Sequence, residues 1–536
     1  MTSLNRSLTV AAVGFATVAI CAQLNAQTAP VSASSANPDV AKLDPAKMAA
    51  VGKIDERFQG YNIEMLEVTG GRFWAPYKAA ANAPADTKQP TPGGMPASLY
   101  RYRAPINLAN PRLRKLAAAL GPAYLRVSGT WANSTYFQDS DAPAPAKPPA
   151  GFNGVLTRAQ WRGVIDFAHA VDAKLVTSFA VSQGVRDANG VWTPVEAEKI
   201  LAYTKSIGGS IAAAEMFNEP TFASLGGAPK GYDAAAYGRD FRAFVAYIKK
   251  ADPGLEILGP GGVGEAGSLG PMQMKLVHSE DILKDEGPGL DAFSYHFYGG
   301  VSKRCAPAGS SGGTTPEAAL SDEWLARTDR DEAYYAALRD HYLPGKPLWL
   351  TETGETACGG DPWASDFIDT FRYLNQLGTL ASKGVQAVMQ NTLAASDYAF
   401  IDETTLTPRP NYWGAVLWRR LMGTTVLDAG KMTQPGLHVY AQCLRDHRGG
   451  VAVLAINASR TEAHDLALPS AYASYTLTSD DLMSPTVKLN GAALNLTDSG
   501  DLPPLNGEKH QAGVVTLSPA SIAFLAIPGA KNSACR

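Results

Sequence analysis

The chain has 536 residues, of which 45% are hydrophobic and 18% are charged, the composition of a globular protein large enough for more than one hydrophobic core. The 47 Lys and Arg residues nearly balance the 50 Asp and Glu residues, leaving a net charge of −3. This balance argues against nucleic acid or an anionic membrane as a partner, because both require a basic surface, and favours a small neutral or anionic molecule.

The first 26 residues have the pattern of a secretory signal peptide. A basic residue precedes an apolar run from Leu8 to Ala22, and the small residues Ala22 and Ala26 offer cleavage sites. Residues 27–45 are rich in Ala, Ser and Pro and are predicted to form a linker. We therefore expect a secreted or periplasmic protein in an oxidising compartment.

Strand-like runs alternate with amphipathic stretches through the middle of the chain. The runs cover residues 60–66, 123–129, 174–180, 213–219, 255–261, 291–298, 347–352 and 385–391. One amphipathic stretch begins with a capping-box signal, Thr157 followed by Gln160. The alternation is typical of a (β/α)8 barrel with insertions, here residues 46–415. On this pattern alone, an open doubly wound sheet is the alternative.

After about Trp418 the pattern changes to short alternating strands separated by turn residues, which predicts an all-β sandwich over residues 416–536. Residues 45–57 could add a strand to it. Removal of the signal peptide leaves four cysteines, an even number that suits two disulfides. Cys443 and Cys535 would close a loop of about 90 residues, which stabilises a fold by roughly 4–5 kcal/mol in the chain-entropy model.

Two glutamates close predicted barrel strands on opposite sides. Glu219 ends the fourth run in FNEP, and Glu352 ends the seventh in LWLTE. Side chains at the carboxyl ends of barrel strands meet at one mouth, and two facing carboxylates there are the groups that glycoside hydrolysis needs. The alternative role for both is structural, as salt-bridge or helix-terminus partners. Glu355 falls in a Gly-rich loop, where we expect a solvated carboxylate without a catalytic role.

Longer segments resemble a known family. FNEP resembles the Asn-Glu-Pro acid/base motif of retaining barrel glycosidases, and several segments resemble heparanase, and so the β-glucuronidases of glycoside hydrolase family 79. These segments are NPRLRKLAAALGPAYLRVSGT, LWLTETGETACGG, AVMQNTLAASDYAFIDETTLTPRPNYWGAVLWRRLMGTTVL and VKLNGAALNL with LPPL. The likeness runs from about residue 50 to the last cysteine. It implies a secreted retaining β-glucuronidase with Glu219 as acid/base and Glu352 as nucleophile.

The same resemblance implies a set of substrate-binding residues. They are Glu64, Thr130, Asn218, His296, Tyr298, Gly359, Gly360 and Tyr398. Tyr298 would donate a hydrogen bond to the nucleophile. The glucuronate carboxylate would bind the backbone N–H groups of Gly359 and Gly360 and the hydroxyl of Tyr398. Four aromatic residues near strand ends could stack on sugar rings, namely Trp74, Tyr77, Trp131 and Trp363.

Departures from heparanase bear on the substrate. The short segment DAPAPAKPPAGFNG stands in place of a long excisable linker, so we expect no cleavage into two chains. Basic clusters beside the groove are few, which disfavours heparan sulfate. Cys305 and Cys358 could join two loops at the mouth. An insertion at residues 299–330 could close one end of the groove and make the enzyme exo-acting, but the sequence leaves exo and endo action open.

We therefore predict a monomer that acts on a glucuronic-acid-containing glycoside or polysaccharide. No cofactor, nucleic acid or membrane partner is expected after signal removal, and the eight scattered histidines form no metal-binding pattern. The alternatives are a related barrel glycosidase acting on neutral sugars and a noncatalytic carbohydrate-binding protein on the same scaffold.

Overall fold

A computed structural model describes residues 40–77, 95–270, 275–306 and 313–536, all of which belong to one compact unit. The predicted signal peptide and most of the predicted linker lie outside the described residues. Within the described ranges, no helix combines the length and the hydropathy needed to cross a membrane.

The eight predicted strands are all present and close into one parallel barrel. In chain order the barrel strands are Gln59–Glu64, Ala123–Ser128, Ala173–Ser178, Ala213–Glu215, Glu256–Val263, Ala292–Tyr298, Leu348–Gly354 and Ala387–Gln390. The eighth strand pairs with the first, so that Met389 lies beside Gly60 and the sheet has no free edge. The (β/α)8 prediction is therefore confirmed, and the open doubly wound alternative is wrong.

Helices connect the strands and bury apolar faces against them. The helices of eight or more residues are Pro111–Ala118, Arg158–Ala170, Val195–Ser206, Ala234–Ala251, Ser279–Glu286, Arg327–Tyr342, Ile368–Ser382 and Pro410–Leu421, and the shorter ones are Met65–Thr69 and Asp322–Leu325. The predicted capping box is present, since Thr157 Oγ1 accepts from the backbone N–H of Gln160 while the Gln160 side chain accepts from that of Thr157.

The C-terminal region forms a sandwich, as predicted, and its strands are antiparallel except for the parallel pair that Ala41–Lys42 makes. The larger sheet contains Ala50–Lys53, Met422–Leu427, Leu437–Leu444, Val451–Asn457, Ser521–Ile527, Tyr472–Thr478, Lys488–Leu489, Ala492–Ala493 and Glu508–His510. The smaller sheet contains Ala41–Lys42, His464–Leu468 and Gly513–Leu517. Cys443 and Cys535 form a disulfide in this region.

The segment before the barrel belongs to both C-terminal sheets. Residues 50–53 pair antiparallel with the strand Met422–Leu427, which agrees with the added strand expected within residues 45–57. Ala41 and Lys42 pair parallel with Leu466 and Ala467, so the prediction that the linker extends to residue 45 is wrong. The Ala- and Pro-rich composition of this segment suggested a linker, but its backbone pairs with a strand and Leu43 is buried, with 4% of its surface exposed. The predicted boundary at residue 415 falls inside the helix Pro410–Leu421 and stays a prediction.

Two short ribbons stand at the mouth of the barrel. One pairs Gly71–Trp74 with Tyr100–Arg103, and the other pairs Thr135–Gln138 with Gly154–Thr157. They lie in the connections that follow the first and second barrel strands. Connections at the carboxyl ends of barrel strands usually carry the functional residues. A disulfide between Cys305 and Cys358 joins the connections after the sixth and seventh strands, as predicted.

Candidate active site

A cavity of about 490 Å³ opens at the carboxyl ends of the barrel strands. Seven of the ten predicted catalytic and substrate-binding residues line it, namely Glu64, Thr130, Asn218, Glu219, Tyr298, Glu352 and Tyr398. Trp74 and Trp131, two of the four aromatic residues expected to stack on sugars, also line it. His296 is fully buried and contacts Glu219 from outside the lining.

Glu352 and Glu219 reach the cavity in different ways. Glu352 lies within the seventh strand, which continues to Gly354. The fourth strand ends at Glu215 rather than at the predicted residue 219. Asn133 explains the early end, because its side chain accepts from the backbone N–H of Asn218 and donates to its carbonyl, at 2.8 and 2.9 Å. These hydrogen bonds hold the chain where strand pairing has ended, and the next residue, Glu219, has a left-handed conformation, with φ 49°.

The two carboxylates are close neighbours. One oxygen of Glu219 and one of Glu352 lie within 4.8 Å of each other. The carboxyl groups of retaining glycosidases are about 5–5.5 Å apart, whereas inverting enzymes need about 6.5–9.5 Å to admit a water molecule. Glu219 keeps 16% of its side chain exposed and Glu352 keeps 7%, so both can reach a ligand. Oxygens within 4.8 Å of each other are compatible with direct attack by one carboxylate and proton transfer by the other.

Arg126, in the second barrel strand, is a residue that the sequence analysis missed. Its side chain is 1% exposed and donates to Glu352 Oε2 at 2.7 Å, to Glu215 Oε2 at 2.8 Å and to Asn218 Oδ1 at 2.7 Å. It also lies 3.3 Å from His296 Nε2. One planar guanidinium thus orients several polar side chains. The available signal was an arginine inside the buried strand AYLRVS, because a fully buried charge needs partners.

Burial and neighbouring charges shift the pKa values of Glu219, His296 and Glu215 in different directions. Burial raises the pKa of Glu219, a shift that the His296 hydrogen bond opposes and the charge of Glu352 reinforces. Burial lowers the pKa of His296, but the carboxylates of Glu352, Glu215 and Glu219 outweigh this effect and raise it to about 9. Burial also acts to raise the pKa of Glu215, but Arg126 and His296 hold it well below its ordinary range. Glu219 therefore keeps a proton to higher pH than an ordinary glutamate.

Glu219, His296 and Glu352 have ligand atoms spaced closely enough to hold a metal ion. Two observations disfavour metal binding by these residues. Both Glu352 oxygens already accept hydrogen bonds, from Tyr298 at 2.6 Å and from Arg126 at 2.7 Å. The neighbouring carboxylates also raise the pKa of His296 to about 9, which favours the protonated ring over the neutral ring that a metal ligand needs. That the protein uses no metal and no cofactor stays a prediction.

The floor of the cavity is a hydrogen-bonded group on the first, sixth and eighth strands. Tyr298 donates to Glu352 at 2.6 Å. The amide of Asn391, a second residue that the sequence analysis missed, lies 3.0–3.2 Å from Tyr298, Tyr398 and Glu64. Burial raises the pKa of Glu64 well above its ordinary range, with the charge of Glu352 adding to the shift. Glu64 is thus expected to be a neutral acid that can donate to a hydroxyl.

Gly359 and Gly360 are buried, and neither is among the residues that line the cavity, whereas their neighbour Cys358 is. A Cβ at Gly359 would meet Ser396 Oγ at 2.5 Å and Trp74 at 2.6 Å, so only glycine fits there, and the contact of the two backbone N–H groups with a uronate stays a prediction. Of the three predicted uronate-binding residues, Tyr398 alone lines the described cavity.

Two of the proposed stacking residues have structural roles. Trp363 is 3% exposed and packs edge-on against Trp324. The hydroxyl of Tyr77 lies 2.9 Å from that of Ser302, and its ring lies under the guanidinium of Arg304. Neither residue is among those that line the cavity; Trp363 is too buried to stack on a sugar, and sugar stacking by Tyr77 stays a prediction.

Glu355 is not the solvated loop carboxylate that was predicted. It is fully buried, and its Oε2 accepts from the hydroxyl of Thr356 at 2.8 Å and from the backbone N–H of Asp361 at 2.9 Å. Burial and the neighbouring Asp361 raise its pKa well above the ordinary range. Glu355 does not line the cavity. It holds the loop that carries Cys358.

Comparison with known proteins places the chain among glycosidase relatives, although no family model matches it. Heparanase-like protein 1 of Arabidopsis thaliana is 24% identical over 81% of this chain and 88% of its own. Heparanase of Mus musculus is 27% identical over 80% of this chain and 88% of its own. Baicalin-β-D-glucuronidase of Scutellaria baicalensis is 32% identical, but over 46% of this chain and 47% of its own.

The fold has a match among solved structures. A 4-O-α-L-rhamnosyl-β-D-glucuronidase of Fusarium oxysporum 12S aligns with a TM-score of 0.62 at 14% identity and covers 91% of this chain and all of its own. At this identity the match shows the barrel-glycosidase fold alone. Over four fifths of its length, the chain resembles heparanase and the heparanase-like proteins of glycoside hydrolase family 79.

Proposed function

We propose that the protein is a secreted retaining β-glucuronidase that hydrolyses β-linked glucuronic acid in glycosides or polysaccharides. The observation that carries the proposal is the pair Glu219 and Glu352, with oxygens within 4.8 Å, at the mouth of the barrel. The names of the relatives, heparanase and baicalin-β-D-glucuronidase, support glucuronide as the substrate class. The two disulfides support an oxidising compartment.

In the first chemical step Glu352 attacks the anomeric carbon and Glu219 gives its proton to the leaving oxygen. The raised pKa of Glu219 suits it to act as the acid. Tyr298 and Arg126 each hold one oxygen of Glu352, so the nucleophile is positioned before the substrate arrives. The step forms a covalent glycosyl-enzyme and releases the aglycone.

In the second step water replaces Glu352. Once Glu352 is esterified its negative charge is gone, which removes one cause of the raised pKa of Glu219. Glu219 can then remain ionised and take a proton from the attacking water. Two inversions at the anomeric carbon give net retention.

Charge balance supports the same assignment. With Glu219 and Glu64 protonated, the charges of Arg126 and His296 are matched by those of Glu215 and Glu352. In the covalent intermediate, Glu352 becomes neutral while Glu219 becomes ionised, so the net charge of the buried group does not change. A buried cluster that stays neutral avoids the desolvation cost of an unpaired charge.

Recognition of the uronate falls to neutral donors. Tyr398 can donate to its carboxylate, and the neutral acid Glu64 can donate to a hydroxyl, while Trp74 and Trp131 offer apolar faces. No Lys or Arg is among the described residues that line the cavity. This observation favours a second candidate, a related barrel glycosidase that acts on neutral sugars.

Room for a longer substrate exists beside the cavity. A second cavity of about 790 Å³ shares the lining residues Thr130, Trp131, Leu225 and Gly226 with the first, so the two cavities are adjacent. A saccharide chain could therefore extend past Trp131. Sizing the products from a glucuronate polysaccharide distinguishes exo action, which releases monosaccharide alone, from endo action, which gives a ladder of oligosaccharides.

The decisive experiment compares the aryl β-glucuronide with the matching β-glucoside. The glucuronide is expected to react far better, by up to roughly 10⁴-fold in kcat/KM, because donors placed for a carboxylate are left poorly paired by a hydroxymethyl group. Tyr398→Phe should narrow this preference by slowing the glucuronide, with little effect on the glucoside. Comparable kcat/KM for the two substrates in the unmodified enzyme would contradict the glucuronidase proposal and support the neutral-sugar candidate.

A further inference from the structure

Asn391 lies at the floor of the cavity, directly after the eighth barrel strand, and is 1% exposed. Its amide nitrogen is 3.0 Å from the Tyr298 hydroxyl, 3.2 Å from the Tyr398 hydroxyl and 3.2 Å from Glu64 Oε1. Its backbone N–H donates to the carbonyl of Thr353 at 2.7 Å. The residue is thus tied to the seventh strand, immediately beside Glu352.

The orientation of the Asn391 amide follows from its surroundings. Its Oδ1 is buried without a hydrogen-bond partner, so exchanging oxygen and nitrogen would bury an NH₂ group that has no acceptor. The Tyr298 hydroxyl has one hydrogen, which it donates to Glu352 at 2.6 Å. Towards Asn391 it can therefore act only as an acceptor.

We propose that Asn391 is a positioning residue for the nucleophile, because its amide donates to the Tyr298 oxygen and so keeps the phenol hydrogen directed at Glu352. A phenol hydrogen can turn to either side of the oxygen within the ring plane. A donor on one side leaves only the other side for the hydrogen, which is where Glu352 lies. Without the amide, that side of the oxygen is open, so the hydrogen could turn away from Glu352, which would then lose a donor.

The number of hydrogens on the amide has a consequence for substrate binding. Two N–H groups face three oxygens within 3.2 Å, so one oxygen always lacks this donor. Tyr398 or Glu64 can therefore turn towards a bound sugar without breaking the contact to Tyr298. The nucleophile stays positioned while the substrate-binding side chains move.

A double-mutant cycle tests the proposal, using Asn391→Ala, Tyr298→Phe and the double variant with an aryl glycoside that the enzyme hydrolyses. Each single variant is expected to lower kcat by roughly tenfold or more, with a smaller change in KM, since a lost hydrogen bond to a charged group acts on the nucleophile. If Asn391 acts through Tyr298, the double variant should be within about threefold of Tyr298→Phe.

Gln390→Ala is the matched control. Gln390 is the buried neighbour of Asn391, and its side-chain amide donates to the carbonyls of Asn391 and Tyr398 rather than to Tyr298 or Glu352. If Gln390→Ala lowers kcat through packing, it should do so by the same factor in the unmodified enzyme and in the Tyr298→Phe variant. Thermal unfolding of each variant shows whether it is folded. For a poorly folded Asn391→Ala, Asn391→Ser takes its place in the cycle.

The proposal would be overturned if Asn391→Ala lowered kcat by the same factor in the unmodified enzyme and in the Tyr298→Phe variant, because Asn391 would then not act through Tyr298. The proposal rests on the proposed function only in taking Glu352 as the nucleophile. The two fail in different ways. Slow hydrolysis of glucuronides by the unmodified enzyme counts against the substrate class, and the cycle is then run with the glycoside that reacts.

Discussion

Replacing Arg126 with Met should destabilise the protein by about 3–5 kcal/mol, because it leaves buried charges without their partner. The side chain of Glu215 is 1% exposed and that of Glu352 is 7% exposed, so water cannot take the place of the guanidinium. The loss would be a large share of a typical total stability of about 5–15 kcal/mol. Because Glu352 and Asn218 both lose a donor, activity should also fall by roughly 100-fold or more.

Urea unfolding at pH 7 measures this cost. Adding Glu215→Gln to the Arg126→Met variant should recover about 1–3 kcal/mol, because it removes one of the orphaned charges. Arg126→Lys should keep much of the stability and lose activity, since an ammonium group cannot span Glu352, Glu215 and Asn218 as the planar guanidinium does.

The pH dependence gives a second check on the same variant. Arg126 and His296 hold the pKa of Glu215 below its ordinary value. The stabilisation is therefore fully present above the pKa of glutamate in the unfolded chain and is lost as the pH falls towards the lower folded value. The difference in the free energy of unfolding between Arg126→Met and the unmodified protein should therefore become smaller as the pH falls. A cost below about 1 kcal/mol at pH 7 would refute the reasoning.

Further expectations concern the glutamates and the disulfide at the mouth. Glu352→Gln should abolish turnover of every glycoside, whereas Glu219→Gln should retain some on an aryl glucuronide with a good leaving group, which needs no proton; equal, complete loss in a folded Glu219→Gln variant would contradict the assignment. Glu355→Gln should stay active and melt higher than the unmodified protein at pH 7, because a carboxyl whose folded pKa is raised loses stability as the pH rises above its unfolded value. The difference in Tm between Glu355→Gln and the unmodified protein should vanish below about pH 4. A lower Tm for Glu355→Gln at pH 7 would contradict this expectation. Peptide mapping without reductant should find no free thiol at Cys305 or Cys358, and replacing both with Ser should cost up to about 4 kcal/mol in urea unfolding.

Local pattern was sufficient for the elements and for the two glutamates. The alternation of strand-like runs with amphipathic stretches predicted every barrel strand, because a parallel strand buried on both faces needs a continuous apolar run. A glutamate within or just after such a run is conspicuous, as with Glu352 and FNEP. The cysteine count suggested two disulfides, and the structure has both predicted pairs.

The tertiary structure decided which polar side chains meet. Arg126 and Glu352 are 226 positions apart, and strand register around the closed barrel brings them to 2.7 Å. Glu355 reads as exposed because Gly-rich loops usually lie at the surface, yet folding of its loop over the mouth buries it. The roles of Arg126, Asn391 and Glu355 depend on neighbours distant in sequence or on the path of a loop, and hydrophobic periodicity carries no information about either. The sequence by itself therefore determined the barrel and the pair of carboxylates, while closure of the barrel decided the contacts that set their charge and position.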